Sequence, residues 1–84
     1  KLFDAYPNPF NPESTINFEL PQSTKLSISI FNINGEKVDN LFYGIKSKGL
    51  HSIVWNAKNI TSGIYIVKLN SVNFSDSQKI ILLK

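Results

Sequence analysis

Apolar–polar alternation in short runs, turn residues between those runs and a complete lack of cysteine predict an all-β chain: an immunoglobulin-like antiparallel β-sandwich of about seven strands, with no disulfide. Each observation has a physical reason. Successive side chains of a strand point to opposite faces, so a strand with one buried face reads apolar at every second residue. Turn signals recur at roughly 8–12-residue intervals, the spacing of sandwich strands. Without cysteine the fold holds by its core alone, and thiolate chemistry is excluded.

The first residues lie outside this alternation. In Tyr6-Pro7-Asn8-Pro9-Phe10-Asn11-Pro12, every proline fixes φ near about −65°, removes a backbone donor and pushes its predecessor toward extended geometry. Residues 1–12 therefore read as an extended, stiff, proline-rich lead-in, and residues 13–84 as the sandwich of a single domain. Thr15 to Leu20 alternates strictly and buries Ile16, Phe18 and Leu20. Pro21-Gln22-Ser23 ends it. Lys25 to Ile30 buries Leu26, Ile28 and Ile30, whereas Phe31 and Ile33 fall on the opposite parity. That change predicts a bulge, or a strand end covered on both faces.

Asn34-Gly35 predicts a two-residue type I′ turn, whose central residues both need positive φ. It leads into a strand from Glu36 that carries Val38 and Leu41. Gly44 to Gly49 reads as a polar loop. His51, Ile53 and Trp55 share one face of the next strand, and Asn56 to Ser62 forms another turn region. Gly63 opens a strand on which Tyr65, Val67 and Leu69 share a face. The last strand spans about Gln78 to Leu83, with Phe74 nearer the preceding turn. This makes six strands, or seven if Leu2 to Ala5 pairs; Trp55 and Tyr65 are the expected large core aromatics.

The ingredients of a catalytic or metal site are scarce. His51 is the single histidine, and its parity makes it a half-buried strand residue. The acids Asp4, Glu13, Glu19, Glu36, Asp39 and Asp76 form no tight pair in sequence. No zinc-ligand spacing, calcium loop, phosphate-binding glycine loop or nucleophile elbow occurs. No enzyme, cofactor or metal is therefore expected. The formal charge is +3 and all nine basic residues are lysines, scattered along the chain. Nucleic-acid readers rely on arginine forks and a basic stripe, so no nucleic acid is expected as partner. No apolar run approaches the ~20 residues of a membrane-spanning helix. Any signal peptide would lie upstream of Lys1. Asn59-Ile60-Thr61 and Asn73-Phe74-Ser75 fit the glycosylation pattern, which an asparagine-rich chain meets by chance.

Ile80-Ile81-Leu82-Leu83 breaks the pattern by being apolar on both parities, between Lys79 and Lys84. Either the second face is covered, or it is exposed and used by a partner that reads Ile81 and Leu83, or the opposite pair. The flanking lysines resemble charged gatekeepers. The edge of this last strand also offers a weak homodimer contact.

Taken together these segments resemble the type A C-terminal sorting domains of the bacterial type IX (Por) secretion system. Tyr6 to Pro12 is similar to the family's opening motif. Phe31 to Val38 resembles its aromatic–Asp–x–x–Gly–(Arg/Lys)–x–Val hairpin. Gly49 to Asn56 resembles its Gly-x-His-x-x-x-Trp-Asp strand, with Asn56 in place of Asp. Ser62-Gly63-Ile64-Tyr65 resembles its Ser/Ala-Gly-x-Tyr motif, and Lys79 to Lys84 its ending. The connection from Asn56 to Ser62 is shorter than in many members.

The resemblance implies an address tag on an upstream cargo protein. That cargo reaches the periplasm by its own signal peptide, is recognised through the folded tag and crosses the outer membrane. A surface sortase then commonly removes the tag, and the cargo is released or attached at the cell surface. The implied partners are the type IX machinery, the sortase and the fused cargo. The implied recognition residues are Pro7, Asn8, Pro9, Gly63, Tyr65, Lys79, Ile81, Leu83 and Lys84, with Asn34 and Gly35 as the structural turn. Lys84 is then expected as the natural C-terminus, a hydrolytic or adhesive protein upstream, and a cleavable linker near Lys1 to Asp4. The alternatives are an accessory immunoglobulin-like module of the flagellar hook-cap kind, or a small carbohydrate-binding module stacking sugars on Trp55, Tyr6, Tyr43 and Phe42.

Overall fold

The computed structural model describes all 84 residues and contains six strands: β1 Glu13–Leu20, β2 Thr24–Asn32, β3 Lys37–Lys46, β4 Gly49–Asn56, β5 Gly63–Ser71 and β6 Ser75–Leu82. They form two antiparallel sheets, β1-β4 and β3-β2-β5-β6. The alternating positions do what their spacing predicts. Ile16, Phe18 and Leu20 of β1, Leu26, Ile28 and Ile30 of β2, Tyr65, Val67 and Leu69 of β5, and Ile80 and Leu82 of β6 all enter one core. Trp55 is buried there too, and Ile53 packs against the cluster. His51 is half-buried on the same face of β4, its ring stacked on Phe18 at 5.3 Å.

Six strands rather than seven are present, and the lead-in takes the seventh place without becoming a regular strand. Residues 1–6 run antiparallel to β1 through isolated bridges, Leu2 to Phe18 and Tyr6 to Thr15. The backbone bonds are few but well formed: Phe3 N to Asn17 O (2.9 Å), Tyr6 N to Thr15 O (3.0 Å) and Thr15 N to Tyr6 O (2.8 Å). The chain then crosses to the other sheet, where Phe10 bridges Leu82 in parallel. The bonds preceding Pro7, Pro9 and Pro12 are cis. Prolines lack the N–H that an uninterrupted ladder needs, so pairing is confined to residues before Pro7 and to Phe10 between Pro9 and Pro12.

This lead-in is part of the folded body. Leu2, Ala5 and Phe10 belong to the buried core, and burying a side chain of the size of Leu2 or Phe10 contributes about 1.5–3 kcal/mol. The expected cleavable linker at Lys1 to Asp4 is therefore not a free segment: Glu19 N donates to Lys1 O (2.8 Å), and Leu2 N donates to Asp76 Oδ2 (2.9 Å). The edge of β6, the expected homodimer contact, is occupied by the lead-in from Lys79 to Leu83.

Two local expectations change. The β2–β3 connection is not a type I′ turn, because no residue other than glycine has positive φ and only Gly35 (φ 81°) does so here. Gly35 N donates to Asn32 O (3.0 Å) and Asn32 N to Glu36 O (2.9 Å), which makes a three-residue loop with glycine at its left-handed position. The Asn32 side chain decides this, since its Oδ1 accepts from both Asn34 N and Glu36 N at 3.0 Å. The bulge exists, but on β3: the register slips between Ile28 and Ser29 and between Ile30 and Phe31, leaving Leu41 and Val38 as the extra residues. Both pack against the core. β3 also continues through Gly44 to Lys46, so the predicted Gly44–Gly49 loop shrinks to Ser47 and Lys48.

Candidate functional site

Asn8 sits between two prolines, so its side chain is free of ladder duty, and it grips the backbone of β6 with both ends of its carboxamide. Its Nδ2 donates to Lys79 O (3.2 Å), and Ile81 N donates to its Oδ1 (2.9 Å). Two residues on, Phe10 N donates to Ile81 O (2.9 Å) and Leu83 N to Phe10 O (3.0 Å). Four bonds thus fasten the last strand to the proline segment, and each stabilises by about 0.5–1.5 kcal/mol. Pro7 is held in turn, because Ser14 Oγ donates to its carbonyl at 2.8 Å. From β6, the side chains of Asp76 and Gln78 accept from Leu2 N and Ala5 N (2.9 and 2.8 Å). Gln78 Nε2 donates to Asp4 Oδ1 at 2.8 Å.

The same end of the sandwich gathers the other motifs. Phe10, Trp55 and Tyr65 form a buried aromatic row, with centroids 5.3 Å and 5.6 Å apart. The Trp55 indole N–H donates to Asp39 Oδ2 (2.9 Å), and the Tyr65 hydroxyl donates to Thr61 O (2.6 Å). Lys84 closes the arrangement, its N bound to Ser62 Oγ (3.0 Å) and its Nζ donating to Lys58 O (2.6 Å). Gly63 pairs with Leu82 at the start of β5. A Cβ there would meet only the Tyr65 ring, at an ordinary 3.8 Å, so neither space nor backbone demands glycine.

The sequence-predicted residues therefore divide. Pro7, Asn8, Pro9, Gly63, Lys79, Ile81, Leu83 and Lys84 converge on one end of the molecule. Asn34 and Gly35 lie in the β2–β3 turn, which borders the same end through a hollow shared with Ser62, Gly63 and Ile64. Tyr65 is buried and acts on the packing. Of the two parities in the terminal run, Ile80 and Leu82 are buried, so only Ile81, half-buried, and Leu83, exposed, face outward. Sequence reasoning missed Phe10, Asp76 and Gln78. The signal was present for the last two: they are polar residues on the inward parity of Ile80 and Leu82, which a strand tolerates only with partners.

Chemically the arrangement offers surface rather than a reaction centre. No three His, Cys, Asp or Glu side chains are grouped to hold a metal ion. His51 Nε2 lies 2.8 Å from Ser47 O, away from the joined ends. No helix is long and apolar enough to cross a membrane. Among the rings of the carbohydrate-binding alternative Trp55 is buried, while the exposed Tyr6 and Tyr43 sit on the lead-in and on β3. The chain matches the family described as "Secretion system C-terminal sorting domain" over residues 4–83. No curated protein matches it.

Proposed function

The chain belongs to the C-terminal sorting domains of the type IX secretion system, and we propose, from that membership, that its joined ends are the part of the tag that the export machinery reads. The family is one of sorting signals acting in export to the outer membrane and cell surface, and not an enzyme family. In our reading residues 1–84 work as one non-catalytic unit fused to an upstream cargo. The cargo passes through the periplasm, is exported with the tag folded, and loses the tag to a surface sortase.

One observation carries the reading: the Asn8 carboxamide bonds to both Lys79 O and Ile81 N. The proline motif and the terminal strand lie at opposite ends of the chain, yet they are bonded side by side. Because residues 1–6 are tied to β1, the reading puts the cleavable junction upstream of Lys1. Lys79, Leu83 and Lys84 offer outward side chains at this end, while Tyr65 and Gly63 support the strand beneath.

The experiment fuses residues 1–84 to a reporter bearing its own signal peptide, in a bacterium with an active type IX system. Deletion of Lys79 to Lys84 is expected to trap the reporter in the periplasm. Reporter still reaching the medium would contradict the assignment. Ile81→Ser with Leu83→Ser keeps the backbone bonds to the lead-in. Lost export with an unchanged melting temperature supports direct reading of these side chains; lost folding supports plain burial.

A further inference from the structure

The outer face of the four-stranded sheet is both apolar and free of acids. β2 turns Phe31 outward and Ile33 follows it, β5 presents Ile64 and Ile66, and β6 presents Ile81, with Leu83 just beyond its end. The register makes them neighbours, with Phe31 opposite Ile66 and Ile64 opposite Ile81. Ile33 is 75% exposed, Leu83 56% and Ile64 44%. An apolar stripe running across three strands is a hazard for a lone domain unless a partner covers it.

Lys25, Lys37, Lys68 and Lys79 occupy the outward parity of this sheet, and Lys68 Nζ lies 5.7 Å from the Phe31 ring centre. Acids are absent from that parity: Asp39 opposes the buried Ile30, and Asp76 opposes the buried Leu69. The opposite face of the sandwich also exposes apolar side chains, Leu50 and Val54, but its strands carry the acids Glu13 and Glu19 and no lysine. Beside the exposed Ile33 lie two hollows. One, of about 390 Å³, is bordered by Ser62, Gly63 and Ile64, and the other, of about 490 Å³, by Phe31, Ile66 and Lys68.

Resting on the sorting reading above, we infer that this face is where the tag docks, and that its occupant is a protein surface of the export apparatus bearing apolar side chains ringed by carboxylates. Charge complementarity sets the rim, since every fixed charge on the face is positive. The hollows call for projecting side chains, which a lipid surface does not supply. A second copy offering its acidic face would make a head-to-tail contact that grows into open filaments and would link cargo molecules together.

The reporter fusion tests this with two sets of variants on the docking face: Ile33→Ser with Ile64→Ser, and Lys68→Glu with Lys79→Glu. A control set, Leu50→Ser with Val54→Ser, lies on the opposite face. The docking-face variants are expected to keep their melting temperature and to lower the secreted fraction about tenfold or more, the loss that follows when an interface anchor is removed. The control is expected to be exported as the unsubstituted fusion is. Unchanged export of both docking-face sets overturns the inference while leaving the sorting reading intact. Failure of the unsubstituted fusion to leave the periplasm overturns the sorting reading, and the inference falls with it. Two measurements on the purified domain also count against it. One is cosedimentation with phosphatidylglycerol vesicles that Lys68→Glu with Lys79→Glu abolishes. The other is a dimer that Ile33→Ser with Ile64→Ser dissolves.

Discussion

The two flanks of the sandwich are closed by different means. On one, residues 1–10 lie between β1 and β6, bonding by backbone to both and sending Leu2, Ala5 and Phe10 into the core. On the other, β3 and β4 end their sheets with no backbone bond between them, and the indole of Trp55 reaches across to Asp39. The first flank is made from the two extremities of the chain, the second from consecutive strands. Consecutive strands stay near one another through a short connection. The extremities have no such tether, and extensive bonding offsets the larger loop-closure entropy. The lead-in is thus the seam of the domain rather than a spacer before it.

The largest effect that would sharpen this contrast comes from removing residues 1–12. The buried row loses Phe10 and the β6 edge is bared, so residues 13–84 are expected to lack a cooperative thermal transition. A cooperative melt near that of the whole chain would show that the first flank is dispensable. Next is Phe10→Ala, which removes a buried ring against Trp55 and is expected to cost about 3–5 kcal/mol in chemical denaturation. On the second flank, Trp55→Phe keeps an aromatic ring but strands the Asp39 carboxylate, at about 1.5–3 kcal/mol. The smallest is Asn8→Ala, at about 1–2 kcal/mol because its two bonds are exposed. If Trp55→Phe proved far more damaging than Phe10→Ala, the ranking of the flanks would be reversed.

The strands were legible because alternation is a local signal: Ile16, Phe18 and Leu20, or Tyr65, Val67 and Leu69, need no knowledge of their neighbours. The seam was not. Asn8 and Ile81 are 73 positions apart, and their bond joins a side chain to a backbone amide, which no periodicity encodes. The turn at Gly35 was half legible. Glycine at a positive φ follows from sequence, but loop length was set by the Asn32 side chain, whose Oδ1 holds two amides. The recognition residues expected at both ends of the chain lie side by side at one end of the sandwich. Tyr65 and Trp55 were legible as core aromatics, but that the two ends of the chain touch required the packing of Phe10 on Trp55.

The account rests on the two ends of the chain forming one unit. Amide hydrogen exchange at Ile81 and Leu83 measures this directly. Both N–H groups point away from β5 and have the lead-in as their partner. If the seam is formed, they exchange as slowly as the amides of β6 that pair with β5, and Asn8→Ala accelerates Ile81 first. Exchange at the rate of an unstructured edge would contradict the account, because β6 would then be a free strand beside a detached leader.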